Sequence, residues 1–181
     1  MKNYLLATSL LCLTLILSAC TNFVSNENRV DDVQESVLNA IQQDESARAE
    51  ETLVSFFGYL NDQDFDNAMN LFELGGDSEN SWEGLESFTL PEDRNDKGNV
   101  LRNYCEATGT CLNATVIEIE KETDSIYNMV VQFQNDDGST FVLGPCCGAT
   151  EEEMPSQDKF NFKVQKINND FKVTTPPIYV P

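Results

Sequence analysis

The stretch YNMVVQFQ, residues 127–134, decides the fold. Tyr127, Met129, Val131 and Phe133 alternate with Asn128, Val130, Gln132 and Gln134, a period of two that places the larger apolar side chains on one face of a strand. Upstream, Thr115, Ile117 and Ile119 alternate with polar residues, with Val116 on the other face, and residues 121–125 turn between the two runs. Downstream, Asn135-Asp136-Asp137-Gly138 reads as a hairpin turn with Phe141 and Leu143 beyond it. Phe160, Phe162 and Val164 alternate again. Asn168-Asn169-Asp170 then turns the chain into Phe171, Val173 and Thr175, and Pro176-Pro177 ends the last strand.

Before Cys111 the period is helical. Ala49, Leu53, Phe56, Phe57 and Leu60 form an apolar stripe, with Ser46 as a cap and Asn61-Asp62 as a break. A second helix over residues 65–73 buries Phe65, Ala68, Met69, Leu71 and Phe72, and Gly75-Gly76 stops it. Residues 77–98 read as loop, with Trp82 and Leu85 on one turn, and Val100, Leu101 and Tyr104 mark a third short helix. Helices followed by four to five antiparallel strands, each with one apolar face, make an α+β fold in which the helices cover the sheet.

The N-terminus carries an address. Lys2 precedes an apolar run over residues 5–17, too short to span a bilayer comfortably. Leu17-Ser18-Ala19-Cys20 resembles the lipobox of bacterial lipoproteins, which implies cleavage of residues 1–19 and lipid on the Cys20 thiol. Thr21 in place of Asp implies the outer membrane in a Gram-negative cell, and the cell surface in a Gram-positive one. An ordinary secretory signal with a chance cysteine is the alternative. Residues 20–46 are the tether: Asn- and Ser-rich to about Arg29, then Val30, Val33, Val37, Leu38 and Ile41 at the spacing of a short amphipathic helix ending near Gln43. The domain occupies residues 47–181.

The segment ETLVSFFGYLNDQDFDNAMNLF, followed by this order of strands, resembles the NTF2-like (SnoaL-like, cystatin-like) superfamily over residues 47–180. The resemblance implies a curved sheet wrapped on a helix, with a pocket between them. Isomerases, dehydratases and plain binding modules share that cone, so function must come from the site. Tyr59, Trp82, Tyr104 and Tyr127 are the aromatics for such a pocket; no Asp aligns to a catalytic base, and core packing explains the aromatics more cheaply.

Composition excludes more than it selects. The chain carries 11 Lys and Arg against 31 Asp and Glu, a net charge of −20, and loss of Lys2 makes the mature chain more acidic still. Nucleic acid and anionic lipid headgroups are disfavoured as partners. Histidine is absent, which excludes Ser-His-Asp, Cys-His and His-zinc chemistry, and no cofactor or metal is implied. Asp62, Asp64, Asp66 and Glu73 imitate a calcium loop, but Asn67 stands where the turn glycine belongs and Phe65 lies inside it. The helix over the same residues, capped by Asp62 or Asp64, is the better reading. The sequon Asn113-Ala114-Thr115 is read as chance.

Four cysteines remain after the signal and the lipid site: Cys105, Cys111, Cys146 and Cys147. Outside the cytoplasm they suggest two disulfides in one of three connectivities. A hairpin at residues 135–138 would set Cys146 beside Tyr127, about 20 Å from Cys111 and beyond the ~7 Å reach of a bridge. Cys105–Cys111 and a vicinal Cys146–Cys147 bridge follow. The vicinal pair reads as a staple, a reducible switch or a soft-metal dithiolate. The functional expectation is a non-catalytic module for a small apolar ligand or an envelope protein. The alternatives are a pocket enzyme of the isomerase or dehydratase type and a thiol redox or metal module.

Overall fold

The computed structural model describes residues 27–73 and 81–177, with side chains from Ala40 onward. The expected lipobox with Cys20, the side chains of Val30, Val33, Val37 and Leu38, and Gly75-Gly76 lie outside the described residues. The chain divides after Gln43, and the unit Asp44–Pro181 is the α+β body. Its helices pack on an open sheet of four antiparallel strands.

Helix α1, Glu27–Asn61, is continuous across the position where Ser46 was expected to start a new helix. Nothing around Ser46 breaks it: residues 40–52 contain no Gly or Pro and are rich in Ala, Gln and Glu, which favour helix. From Ala49 the expected stripe is buried, with Ala49, Leu53, Phe56 and Phe57 at 0 % exposure. Helix α2, Phe65–Asn70, starts at Asp64, whose carboxylate accepts from the Asn67 amide at 3.3 Å and from Asn67 Nδ2 at 2.7 Å. It ends three residues sooner than expected, because Phe72 leaves to bridge Val173 of the last strand. Helix α3 is Ser81–Glu86, and α4 is Lys97–Thr108. Asp96 caps α4 at its start, and Gly109 closes it at φ 63°, a left-handed position that suits glycine.

The strands are β1, Asn113–Lys121; β2, Ile126–Gln134; β3, Phe160–Ile167; and β4, Asp170–Val173. They form a meander in the order β1-β2-β3-β4. The β2 alternation is as read: Tyr127, Met129, Val131 and Phe133 are all buried. Phe57 on α1 meets this face edge-on, its ring 4.9 Å from Phe133 and 4.9 Å from Phe162. Asn168 and Asn169, at φ 51° and 73°, make the tight turn between β3 and β4.

Two strand expectations are corrected. In β1, Val116 pairs with Val131 and Glu118 with Val130, so Ile117 is the extra residue of a bulge. It stands 44 % exposed, and the inward positions are Ala114, Val116 and Ile119 rather than an unbroken 115, 117, 119 series. The turn at residues 135–139 does form, with Gly138 N donating to Asn135 O at 2.8 Å. The pairing beyond it reaches only Gln134–Thr140, because β3 takes the edge of β2. Phe141 N still donates to Phe133 O at 2.8 Å, but Leu143 pairs with Gln157 instead of β2, so no fifth strand forms among the described residues and Cys146 sits in the long loop over residues 135–159 rather than beside Tyr127.

Candidate functional site

Tyr59, Trp82, Tyr104 and Tyr127, expected around one pocket, all pack into or against the core. Tyr104 and Tyr127 are buried in the core at 2 % and 0 % exposure. Tyr59 and Trp82 are half-buried against the same core. Trp82 stands edge-on to Phe72 at 5.5 Å, with Lys97 Nζ 4.6 Å above its ring, while Tyr104 meets Phe88 at 5.4 Å. A sheet inner face built of Phe and Tyr needs large rings opposite it, and these side chains supply them.

Two of the clefts that open among the described residues are lined by none of the four aromatics. One of about 330 Å3 runs between α1 and β4, with Arg48, Glu51, Thr52, Ser55, Asp170 and Lys172 along it. Arg48 lies 5.1 Å over the Phe171 ring, and Lys172 Nζ donates to Asn70 O at 2.6 Å. Its charges are mixed, so it favours neither anion nor cation. The second, about 270 Å3, lies beside Cys105 and Cys111, between Asn61, Phe65 and Asp136.

Tyr127 carries a carboxylate on its hydroxyl. Its OH donates to Glu45 Oε2 at 3.3 Å, and Lys166 Nζ bonds Glu45 Oε1 at 2.6 Å. The Lys166 hydrogen bond holds the Glu45 carboxyl below its usual range. Burial, then the charge of Glu45, pushes the Tyr127 phenol up. An ionised Glu45 held by a cation is a weak base, and a neutral Tyr127 is a donor, so the trio ties α1 to β2 and β3 and is poorly suited to proton transfer. Sequence reading placed Glu45 in the tether and missed its role. The signal was present: Glu45 lies one turn before Ala49 on the core stripe.

The cysteines separate into two kinds. Cys105 and Cys111 are joined, with S–S 1.93 Å and Cα–Cα 5.3 Å, linking the end of α4 to the start of β1. Asn61 braces that junction, donating to Cys111 O at 3.1 Å and accepting from Asn113 Nδ2 at 2.9 Å. Cys146 and Cys147, expected as a vicinal bridge, stand as free thiols with Sγ atoms 2.8 Å apart. Adjacent Cα atoms lie about 3.8 Å apart, shorter than the span a disulfide prefers, so a bond closed here would be strained and readily reduced. Cys147 takes φ 60°, which brings the sulfurs together. Met154, not foreseen beside them, accepts from the Cys146 amide through Sδ at 3.5 Å.

Of the calcium-loop imitation, Asp64 is committed to its cap. Glu73 N donates to Val173 O at 3.0 Å in the bridge to β4. Among the described residues no group of three or more Cys, Asp or Glu is arranged to hold a metal ion. No helix among them is long and apolar enough to cross a membrane. Comparison with protein-family models, with curated proteins and with solved structures finds no match to this chain.

Proposed function

We propose that this chain is a lipid-anchored lipoprotein of a bacterial envelope, and that its extracytoplasmic body is an NTF2-like, cystatin-like cone acting as a non-catalytic interaction module. The lipobox ending at Cys20 supports the anchor, with an outer-membrane address in a Gram-negative cell and a surface address in a Gram-positive one. The bulge at Ile117 supports the cone, since bulges bend and twist the strand that carries them. The observation that carries the interaction reading is the filled interior: Phe57, Phe133 and Phe162 meet edge-to-face at 4.9–5.9 Å where a ligand would sit. An isomerase-type pocket would need a free carboxylate there, and Glu45 is bonded to Lys166 at the rim instead.

That favours an envelope protein over a small apolar ligand. Phe88 at 44 % exposure and Leu90 at 63 % are exposed apolar side chains two residues apart, and side chains of this kind anchor protein partners. Nucleic acid remains disfavoured by the net charge of −20. The test is site-specific photo-crosslinking in intact cells, with the crosslinker at Leu90 or, for comparison, at Glu118 on β1. A discrete adduct from position 90 that is lost in Phe88→Asp is expected. Identical patterns from both positions, or saturable binding of an apolar fluorescent probe to the purified protein, would overturn the reading. The anchor is tested alongside: Cys20→Ala should accumulate as uncleaved precursor without lipid, and normal processing would refute it.

A further inference from the structure

Cys146 and Cys147 lie on a loop whose shape does not depend on them. Its neck is tied by Leu143 and Gln157, which exchange backbone hydrogen bonds of 2.8 and 2.9 Å. Inside, Ala149 N donates to Cys146 O at 2.9 Å, and Thr150 N donates to Glu153 Oε2 at 2.8 Å. Ser156 N donates to Glu151 Oε1 at 2.7 Å. Neither thiol belongs to the apolar core, whereas both Cys105 and Cys111 pack into it or against it. A bond between adjacent residues closes almost no loop, so it adds almost nothing to stability through chain entropy. Stapling is therefore a poor explanation for two sulfurs held 2.8 Å apart on a braced surface loop.

We propose that Cys146 and Cys147 form a two-electron thiol–disulfide exchange site that takes an exposed, cationic disulfide. Cys147 is exposed and Cys146 half-buried, which sets the order of attack. The Cys147 thiolate attacks one sulfur of the incoming disulfide, forms a mixed disulfide and releases the first thiolate. Cys146 then loses its proton to solvent and attacks the Cys147 sulfur, closing the vicinal bridge and releasing the second thiolate. The pair is oxidised by two electrons, the disulfide is reduced to two thiols, and the two cysteine protons balance the two thiolates released. Sharing the Cys146 proton with Cys147 raises the Cys146 pKa, which keeps it protonated until the mixed disulfide forms. Glu151, Glu152 and Glu153 follow within the same loop, so a cation approaches faster than an anion.

The experiment treats the full-length protein in detergent with cystamine, a cationic disulfide, and with glutathione disulfide, an anionic one, and follows the tryptic peptide of residues 122–159 by mass. The wild type should lose two hydrogens from that peptide without a lasting adduct. Cys146→Ser should trap the mixed disulfide on Cys147, and Cys147→Ser should react at least about tenfold more slowly than wild type. Cystamine should outpace glutathione disulfide at low ionic strength, with the ratio shrinking as salt is added. The Cys146→Ala/Cys147→Ala variant should melt with the wild type. A lasting adduct on the wild type, unreacted thiols, no salt dependence of the ratio, or a melting loss of several degrees in the double variant would each overturn the proposal.

Discussion

The Tyr127 hydroxyl is a polar atom at the edge of an apolar layer, and such an atom is costly unless it is bonded. Glu45 accepts its proton at 3.3 Å, and Lys166 keeps Glu45 charged enough to do so. The two shifts act on opposite sides of neutrality. The Glu45 pKa is lowered on folding, so its stabilisation is complete above the ordinary carboxylate range and is lost as pH falls through the folded value. The Tyr127 pKa is raised, so its contribution is present below the ordinary phenol range near 10 and disappears as pH rises through the folded value. Glu45→Gln should therefore lose about 1 kcal/mol at pH 7, modest because the trio is partly solvated. Urea unfolding of both proteins at pH 7 and pH 3 checks this: the gap should narrow at pH 3, below the ordinary carboxylate range, where the unfolded chain takes up the proton and part of the contribution is lost. An equal gap at the two pH values would show that the carboxylate charge does not matter.

The elements themselves were legible wherever one period governed a whole segment. The β2 and β3 alternations and the stripe from Ala49 to Leu60 hold because each buries one face against the same layer. What sequence could not carry was competition between segments. The 135–138 turn is locally sound, yet β3 takes the edge of β2 and buries Phe160, Phe162 and Val164 there. The Cys105–Cys111 pairing emerged although the hairpin register used to reach it does not form. Ile117 shows a second limit, because a bulge changes the phase of a strand without any residue type that announces it. The helix boundary is the third. Ser46 looks like a cap, but α1 runs through it, so its side chain has no orphan amide to satisfy. Ser46→Ala should thus leave thermal stability unchanged or raise it by roughly 0.3–0.5 kcal/mol. Loss of about 1 kcal/mol in a melting experiment, the usual effect of removing a cap, would return the helix start to Ser46.

At the scale of the molecule, charge is the dominant unbalanced quantity. Against a net charge of −20, the ion pairs at Lys97–Glu86, Lys121–Asp124, Lys163–Glu122 and Lys166–Glu45 recruit cations from a small supply. Each pair is partly or fully exposed and adds little, whereas repulsion among the excess carboxylates acts on the whole compact state. The acidic surface also guards the free side of β1, where Glu118, Glu120 and the bulge discourage pairing with another strand. Salt separates the two electrostatic contributions because it weakens both. At 0.01 M the screening length is about 30 Å, the size of a small domain, and at 0.15 M it is about 8 Å. If repulsion dominates, sodium chloride added over that range at pH 7 should raise the melting temperature, by roughly 3 °C for a gain near 1 kcal/mol. If the ion pairs dominate, the melting temperature falls instead. A rise that vanishes at pH 4, where many carboxylates are neutral, would assign the effect to carboxylate repulsion and not to a specific ion site. A rise that persists there would count against that assignment.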